Sequence, residues 1–265
     1  MTTPHKRSKR RVLLWAIVGG TLLFVLAVSL LVTWAMSTPA TYRPADPTDA
    51  AVVARGEALE NAAISQLSAV RPAAEAATPT DGYASAPWSV SLSQSDANAW
   101  LATRLMEWLA SRGSALPQGF SAPAVSITSN NITVSAAAEY PLGIAIISID
   151  ARTWVAPSGE LMIQLGGVRA GRLPLPAAAI NALSDLFVSF QKAALGKPDI
   201  SPIATQSSSP SQPNSLSSAP AAQLAEPIAF PPVSFNLDDG RRVELIALEA
   251  VEGKIVLTLR TRASR

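Results

Sequence analysis

The stretch AVSITSNNITVS, residues 124–135, decides the fold, because apolar and polar side chains alternate on both sides of a Ser129-Asn130-Asn131 turn. A period of two is typical of a half-buried β-strand, and Ser and Asn are frequent turn residues. The alternation continues through two more turns, at residues 141–143 and 157–159. We therefore predict an antiparallel meander of four strands, at Ala124–Thr128, Ile132–Tyr140, Ile144–Val155 and Leu161–Val168.

The second strand predicts a sheet that is apolar on one side and solvated on the other. The apolar face would carry Ile132, Val134, Ala136, Ala138 and Tyr140. The solvated face would carry Asn131, Thr133, Ser135 and Glu139. Glu139 and Asp150, on neighbouring strands, form a candidate carboxylate pair for acid/base chemistry. Solvated polar residues of a half-exposed sheet are the favoured interpretation of this pair.

Two helices are predicted on either side of the meander. Trp88–Leu92 alternates like a short strand, and Ser93-Gln94-Ser95-Asp96 then has the pattern of a capped helix start. The helix that follows has one continuous apolar stripe and would stop at Gly113; the stripe is Ala97, Trp100, Leu101, Leu105, Trp108 and Leu109. The second helix would run over Ala177–Leu195, with an apolar stripe of Ile180, Leu183, Phe187, Phe190 and Ala194.

The last third of the chain divides into a linker and a hairpin. Residues 197–227 are rich in Ser, Pro, Gln and Ala with few large apolar residues, which favours a flexible linker. Val243–Ala250 and Lys254–Arg262 alternate around a turn near Glu252-Gly253, and we predict that this C-terminal hairpin joins the meander sheet.

The chain starts with a basic tail followed by a long apolar segment. Residues 1–11 contain five Lys or Arg residues, and Val12–Met36 is a run of 25 residues without a charged side chain. About 20 apolar residues are enough to cross a bilayer as a helix. The excess of positive charge before the segment predicts a cytoplasmic amino terminus and an extracytoplasmic remainder. The alternative is a cleaved signal peptide, whose apolar core is shorter.

Residues 37–87 would form a juxtamembrane part, with an Ala-rich helix over residues 48–70 and a loop before the α+β ectodomain core of residues 88–196. Residues 228–265, with the hairpin, would complete that ectodomain. The expected fold is thus α+β: one transmembrane helix, then an extracytoplasmic antiparallel sheet covered by two or three amphipathic helices.

Charge and composition exclude several classes of function. The net charge of +2 comes from the basic tail, because residues 37–265 contain 16 Lys or Arg and all 19 Asp or Glu. A mildly acidic ectodomain argues against nucleic acid as a partner. The chain has no Cys, and its single His is His5 in the tail. Thiolate zinc sites, Cys nucleophiles and Ser-His triads are therefore excluded from the ectodomain, and we expect no enzyme, metal or cofactor.

Two groups of residues are candidate ligand-binding sites. Trp100, Trp108, Phe187 and Phe190 could line a groove for an acyl chain, or form plain core. Arg169 and Arg172 lie among glycines just before a predicted helix start, where they could bind a phosphate or carboxylate. The alternative is a glycine-permitted bulge with solvated arginines. Residues 238–240, Asp-Asp-Gly, could be called a calcium site, but an ordinary turn is favoured.

The order of the elements and two short motifs resemble those of the YpmS-like family of uncharacterised, membrane-anchored bacterial proteins. The motifs are residues 92–101, LSQSDANAWL, which open a helix, and residues 171–176, GRLPLP, which precede another. The resemblance covers residues 88–195 and supplies no catalytic residues. It implies a bacterial envelope protein with a single membrane anchor.

These observations predict a non-enzymatic, single-pass protein of the cell membrane. Its outer domain would bind a lipid or amphiphile, or assist an envelope process. The alternative is a scaffold or interaction subunit of a membrane protein complex, whose apolar helix surfaces would pack on a partner.

Overall fold

The computed structural model describes residues 6–74, 84–141, 143–175 and 227–263, and it describes the side chains of the first helix from Gly19 onward. The fold is α+β, with antiparallel sheets and four helices in the described part of the chain. The helices are α1 (Lys6–Ala35), α2 (Ala50–Ser68), α3 (Gln94–Thr103) and α4 (Leu105–Ser111). The predicted helix at 177–195, with Phe187 and Phe190, and the predicted linker, apart from residue 227, lie outside the described residues.

The strands form an antiparallel meander and a C-terminal hairpin, as predicted. Two short strands, β7 and β8, precede the hairpin in the chain. The ten strands are β1 (Trp88–Ser93), β2 (Phe120–Thr128), β3 (Asn131–Tyr140), β4 (Gly143–Val155), β5 (Leu161–Ala170), β6 (Leu173–Pro174), β7 (Ile228–Phe230), β8 (Ser234–Asn236), β9 (Arg241–Val251) and β10 (Lys254–Ala263).

The prediction of a single sheet is wrong, because the described strands form two. One sheet has the order β2-β3-β4-β5-β6, with β7 paired to β5, and the other has the order β1-β10-β9-β8. The hairpin β9–β10 therefore pairs with β1 and does not join the meander. Both edges of the meander are already occupied: β6 and β7 pair with β5, and side chains of α3 cover β2.

Two amide side chains of α3 bind the outer edge of β2. The Asn98 side chain accepts from the Val125 N–H at 2.6 Å and donates to the Val125 carbonyl at 2.9 Å, and Gln94 accepts from the Ile127 N–H at 2.8 Å. The β9–β10 turn continues this edge, since the Gly253 N–H donates to the Ile127 carbonyl at 3.0 Å. An edge strand that would otherwise be open to another chain is thereby closed, and the two sheets are joined.

The predicted solvent exposure of the meander faces holds on β3 at Ala138, which is buried, and at Glu139, which is exposed, but it is wrong in the middle of the strand. Thr133 and Ser135, expected in solvent, are 7% and 4% exposed, whereas Val134, expected in the core, is 48% exposed. The hydroxyl groups are buried because they bond across the strands: Ser135 to Ser148 at 2.8 Å, and Thr133 to Asp150 at 2.7 Å. A small hydroxyl can enter the interior when it has such a partner.

The predicted helix start at Ser93 is confirmed, but the long helix is broken. The Ser93 side chain accepts from the Asp96 N–H, as in the predicted cap. Arg104, with φ −116° and ψ −24°, separates α3 from α4. Gly113 follows α4 with a φ of +68°, which agrees with the predicted stop.

Within the described residues, no helix meets the length and hydropathy that crossing a membrane requires. The side chains described on α1 are largely exposed between Leu22 and Trp34. The end of α1 contacts β5 and β6. The juxtamembrane helix predicted over residues 48–70 is α2, which begins at an Asp49 cap and packs on α3. Gly56 of α2 permits the close approach, since a Cβ there would overlap with the Thr103 hydroxyl.

Candidate functional site

The structure separates the two arginines of the predicted anion site. Arg169, on β5, forms an ion pair with Asp150 of β4 at 2.8 Å, and Asp150 also accepts from Thr133. Gly166 is the extra residue of a bulge between β4 and β5, as the alternative interpretation expected. The charge of Arg169 is thus already matched inside the sheet. The helix start at residue 177 lies outside the described residues.

Arg172 lies at the end of α1, on the turn between β5 and β6. Its side chain is exposed, while its backbone N–H donates to the Trp34 carbonyl at 3.0 Å. The neighbouring Gly171 has a φ of +57°, and a Cβ there would overlap with the carbonyl oxygens of Trp34, Ala35 and Ser37. Only glycine combines this φ with so close an approach. We call this contact of residues 34–37 with Gly171 and Arg172 the α1 junction.

Two further contacts hold the chain at the α1 junction. A Cβ on Gly143, at the start of β4, would overlap with the Met36 methyl group, so Met36 lies directly against the β3–β4 turn. Tyr42 donates a hydrogen bond from its hydroxyl to the Ala122 carbonyl at 2.8 Å. Partial burial raises the pKa of Tyr42 above its ordinary value of 10.0, so the phenol keeps the proton that it donates. The segment after α1 is therefore tied to the sheet within a few residues.

Apolar side chains are exposed at the same end of the meander. Tyr140, the last residue of β3, is 52% exposed, and Ile144, the second residue of β4, is 57% exposed. The β3–β4 register places them beside the turn that Met36 contacts. Their side chains point to opposite sides of the sheet, because Tyr140 pairs with Gly143 and Ile144 pairs with Glu139. We call this end of the sheet, with Tyr140, Ile144 and Arg172, the α1-proximal face. It combines an aromatic ring, an aliphatic side chain and a cation.

The predicted tryptophan pair comes together across the break between α3 and α4. In an unbroken helix, residues eight apart are about 12 Å apart along the axis. The ring centroids of Trp100 and Trp108 are 6.1 Å apart in an edge-to-face arrangement, and both residues are half-buried. The guanidinium of Arg112 lies over the Trp108 ring at 4.3 Å. The edge-to-face contact and the cation–π contact both stabilise the packing of the two rings.

Ion pairs of Arg104 stabilise the break between α3 and α4. Arg104 donates to Glu60 of α2 at 2.8 Å and pairs with Glu107 of α4 at 3.0 Å. The hydrogen bond to Glu60, followed by the charges of Glu60 and Glu107, raises the pKa of Arg104, so the guanidinium stays charged. This arginine links three helices at the bend.

The structure separates the two carboxylates of the candidate pair, and it forms a turn at residues 238–240. Glu139 pairs with Ile144, whereas Asp150 pairs with Thr133, so about 20 Å of strand separates the two carboxylates. Residues 238–240 form a turn in which Asp239 accepts from the Arg241 backbone and side chain. The described residues contain no group of three or more His, Cys, Asp or Glu that could hold a metal ion.

The sequence reasoning missed three features: the Gln94 and Asn98 amides, the α1 junction, and a cleft at the other end of the domain. Gln94 and Asn98 are four residues apart, which places them on one helix face, and that spacing was the available signal. The cleft has a volume of about 620 Å³ and lies between the β4–β5 turn and the β9–β10 hairpin. Three arginines and one glutamate line it: Arg242, Arg260, Arg262 and Glu244.

Comparisons with known proteins leave the geometry as the basis for a functional assignment. No protein-family model, no curated protein and no solved structure matches the chain.

Proposed function

We propose that the chain is a single-pass protein of the cell membrane whose extracytoplasmic, non-enzymatic domain binds a lipid or amphiphile at the membrane surface. The observation that carries this proposal is the α1 junction. It fixes the end of an apolar helix directly to the sheet, beside the exposed side chains of the α1-proximal face.

The surface of α1 supports the membrane anchor. Leu22 and Phe24 are 71% and 69% exposed, and the large apolar residues between them and Trp34 are exposed as well. A continuous apolar surface of this kind is unfavourable in water and needs a cover. A bilayer supplies that cover, and the five cations before residue 12 place the amino terminus on the cytoplasmic side.

The α1-proximal face supports lipid contact. A sheet tied to α1 through Gly171 and Met36 holds Tyr140 and Ile144 close to the level at which the helix leaves the bilayer. Aromatic side chains are favoured at this interface, where one end of the ring is apolar and the other is wet. Arg172 adds a cation that suits a phosphate headgroup. We therefore assign the lipid contact to this face. Trp100 and Trp108 stay candidates for contact with an acyl chain. Arg169 is left out of the lipid contact because it is paired with Asp150.

The membrane orientation can be tested directly because the chain has no cysteine. We would introduce His5→Cys or Ser158→Cys into the full-length protein and expose spheroplasts to a membrane-impermeant maleimide. Ser158→Cys should react in intact spheroplasts, and His5→Cys should react only after lysis. Equal labelling of both residues before lysis, or the reverse pattern, would overturn the proposed orientation.

Lipid binding can be tested on the full-length chain in nanodiscs. Native mass spectrometry of protein released from nanodiscs with equal phosphatidylglycerol and phosphatidylcholine should show retained phosphatidylglycerol. Arg172→Gln and the double variant Tyr140→Ser, Ile144→Ser should each lower the retained fraction by about fivefold, as expected for the loss of about 1 kcal/mol. Val134→Ser is the matched control, because Val134 is exposed on the same strand about 20 Å from Tyr140.

Retention that does not change in any variant would contradict lipid binding at this face. A folded domain that retains no lipid at all would instead favour the scaffold function, in which apolar surfaces pack on a partner protein.

A further inference from the structure

We propose that the cleft between the β4–β5 turn and the β9–β10 hairpin, here called the arginine cleft, binds a multiply charged phosphate compound in the space outside the membrane. This site is distinct from the lipid contact proposed above. It lies at the opposite end of β4 and uses different residues.

The hairpin register places all four charged residues of the cleft on one face. Arg260 is opposite Glu244, and Arg262 is opposite Arg242, so the four form two neighbouring cross-strand pairs. Glu244 lies 2.9 Å from Arg262 and 3.9 Å from Arg242. Arg260 makes no ion pair with another residue of the described part of the chain. The cleft therefore has three cations and one anion, an excess of two positive charges.

The cleft has the size and the access that a small ligand needs. Its volume of about 620 Å³ is within the range of small-molecule sites, about 300–1,000 Å³. The side chains of Arg242 and Arg262 are 46% and 44% exposed. Residues 155–159 and Pro232 form the opposite wall. A ligand can therefore reach the guanidinium groups without a rearrangement of the backbone.

The arrangement favours a ligand with more than one anionic group. A guanidinium can donate two parallel hydrogen bonds to a phosphate. Arg260 and Arg262 are two residues apart on β10, about 7 Å along the strand, so two linked phosphate groups can be bound together. Glu244 repels anions and forms an ion pair with Arg262. A single phosphate must compete with this carboxylate for Arg262 and therefore binds weakly. Linked phosphates can displace Arg262 from Glu244 and use all three arginines.

The position of the cleft determines where the ligand comes from. β4 has 13 residues and starts at Gly143, beside Met36 and the α1 junction, so its other end is up to about 40 Å away. On the proposed membrane placement, the headgroups of the same bilayer lie out of reach of Arg260. The phosphate groups are then supplied by a soluble compound or by a polymer that extends from the envelope.

The test is calorimetric titration of the full-length protein in phosphatidylcholine nanodiscs with tripolyphosphate and, separately, with orthophosphate. We expect saturable binding of one tripolyphosphate and at least tenfold weaker binding of orthophosphate. Arg260→Gln should weaken tripolyphosphate binding about tenfold, since a charge-assisted hydrogen bond is lost. Glu244→Gln should strengthen it severalfold, because a competing carboxylate is removed. Arg152→Gln is the matched control, because Arg152 is an exposed arginine of β4 that does not line the cleft, and it should have no effect.

Absence of tripolyphosphate binding in a folded protein, or equal weakening by Arg260→Gln and Arg152→Gln, would overturn the proposal. A second arm repeats the titration in nanodiscs with half phosphatidylglycerol. An unchanged affinity for tripolyphosphate would support a ligand from outside the membrane. Strong competition by phosphatidylglycerol would overturn this source and indicate that the cleft binds a lipid headgroup. These readouts do not depend on lipid retention at the α1-proximal face, so the two proposals can fail separately.

Discussion

The two ends of strand β4 meet different surroundings and show how one sheet can present two chemistries. At Gly143 the strand begins beside the end of α1, with Tyr140 and Ile144 exposed and Arg172 nearby. At Val155 the strand ends beside the arginine cleft, which three arginines and Glu244 line. An apolar end beside a helix fits an interface with lipid, and a cationic end fits dissolved anions.

The two ends of β4 keep their different surroundings because contacts join the two sheets of the domain. The meander sheet carries the α1 junction and the hairpin sheet carries the arginines. The two sheets meet along β2, whose edge binds both the α3 side chains and the Gly253 N–H of the hairpin turn. We therefore expect the largest loss of stability from a substitution where the two sheets meet along β2, and smaller effects at either end of β4.

Asn98→Ala should destabilise the whole domain by about 2–6 kcal/mol. Asn98 is buried, and its loss leaves both the N–H and the carbonyl of Val125 without a partner, at about 1–3 kcal/mol for each group. Chemical denaturation of the full-length protein in detergent would measure the change. Asn236→Ala, at an exposed amide of β8, should change the free energy of unfolding by less than about 0.5 kcal/mol. A similar small change for Asn98→Ala would contradict the role of this amide.

Gly171→Ala should loosen the α1 junction without unfolding the domain. The new Cβ would overlap with three carbonyl oxygens at the end of α1, in addition to the strain of a positive φ. Gly240→Ala is the matched control, because Gly240 has a φ of +78° and no atom within 4 Å of the added Cβ. That control should cost only about 1 kcal/mol.

Spin labels at Thr21→Cys and Glu139→Cys would measure the distance between α1 and the sheet by pulsed electron paramagnetic resonance. In the parent protein the distance distribution should be narrow, because Gly171 and Met36 hold α1 against the sheet. Gly171→Ala should broaden it, and Gly240→Ala should not. Equal distributions in all three proteins would show that the junction does not fix α1.

The smallest expected effect concerns acid stability near the hairpin. Asp239 accepts from the Arg241 side chain and backbone, and these bonds lower the pKa of Asp239 below its ordinary value of 3.8. A depressed pKa in the folded state contributes stability above the unfolded value, and the contribution is lost as the pH falls through the folded pKa. Stability measured from pH 5 down to pH 2 should therefore fall less steeply in Asp239→Asn. Identical slopes would contradict this contribution.

Local patterns predicted the elements well, because each depends on residues close in the chain. The Ser93 cap, the stop at Gly113 and the turns of the meander all follow from neighbouring side chains. The burial of Thr133 and Ser135 could not be predicted in this way, since it depends on partners at Asp150 and Ser148. When the partners are unknown, alternating hydroxyl side chains in a sequence look the same whether their strand face is buried or solvated.

The candidate sites were harder to predict because they depend on which strands meet. Asn98 reaches a strand edge 27 residues away, and no periodicity specifies that contact. The arginine cleft depends on a bulge: the turn at Glu252-Gly253 alone would place Arg260 opposite Leu245, and the register shift between Thr258 and Leu259 places it opposite Glu244. Its opposite wall, at residues 155–159, comes from the other sheet and required the structure.

On the proposed membrane placement, one end of β4 lies at the bilayer and the other end lies far from it. The direct measurement is fluorescence quenching in nanodiscs with spin-labelled headgroups, with a fluorophore on Glu139→Cys or on Ser158→Cys of the full-length chain. We expect strong quenching at residue 139 and almost none at residue 158, up to about 40 Å away along β4. Equal quenching at both positions, or stronger quenching at residue 158, would contradict this placement.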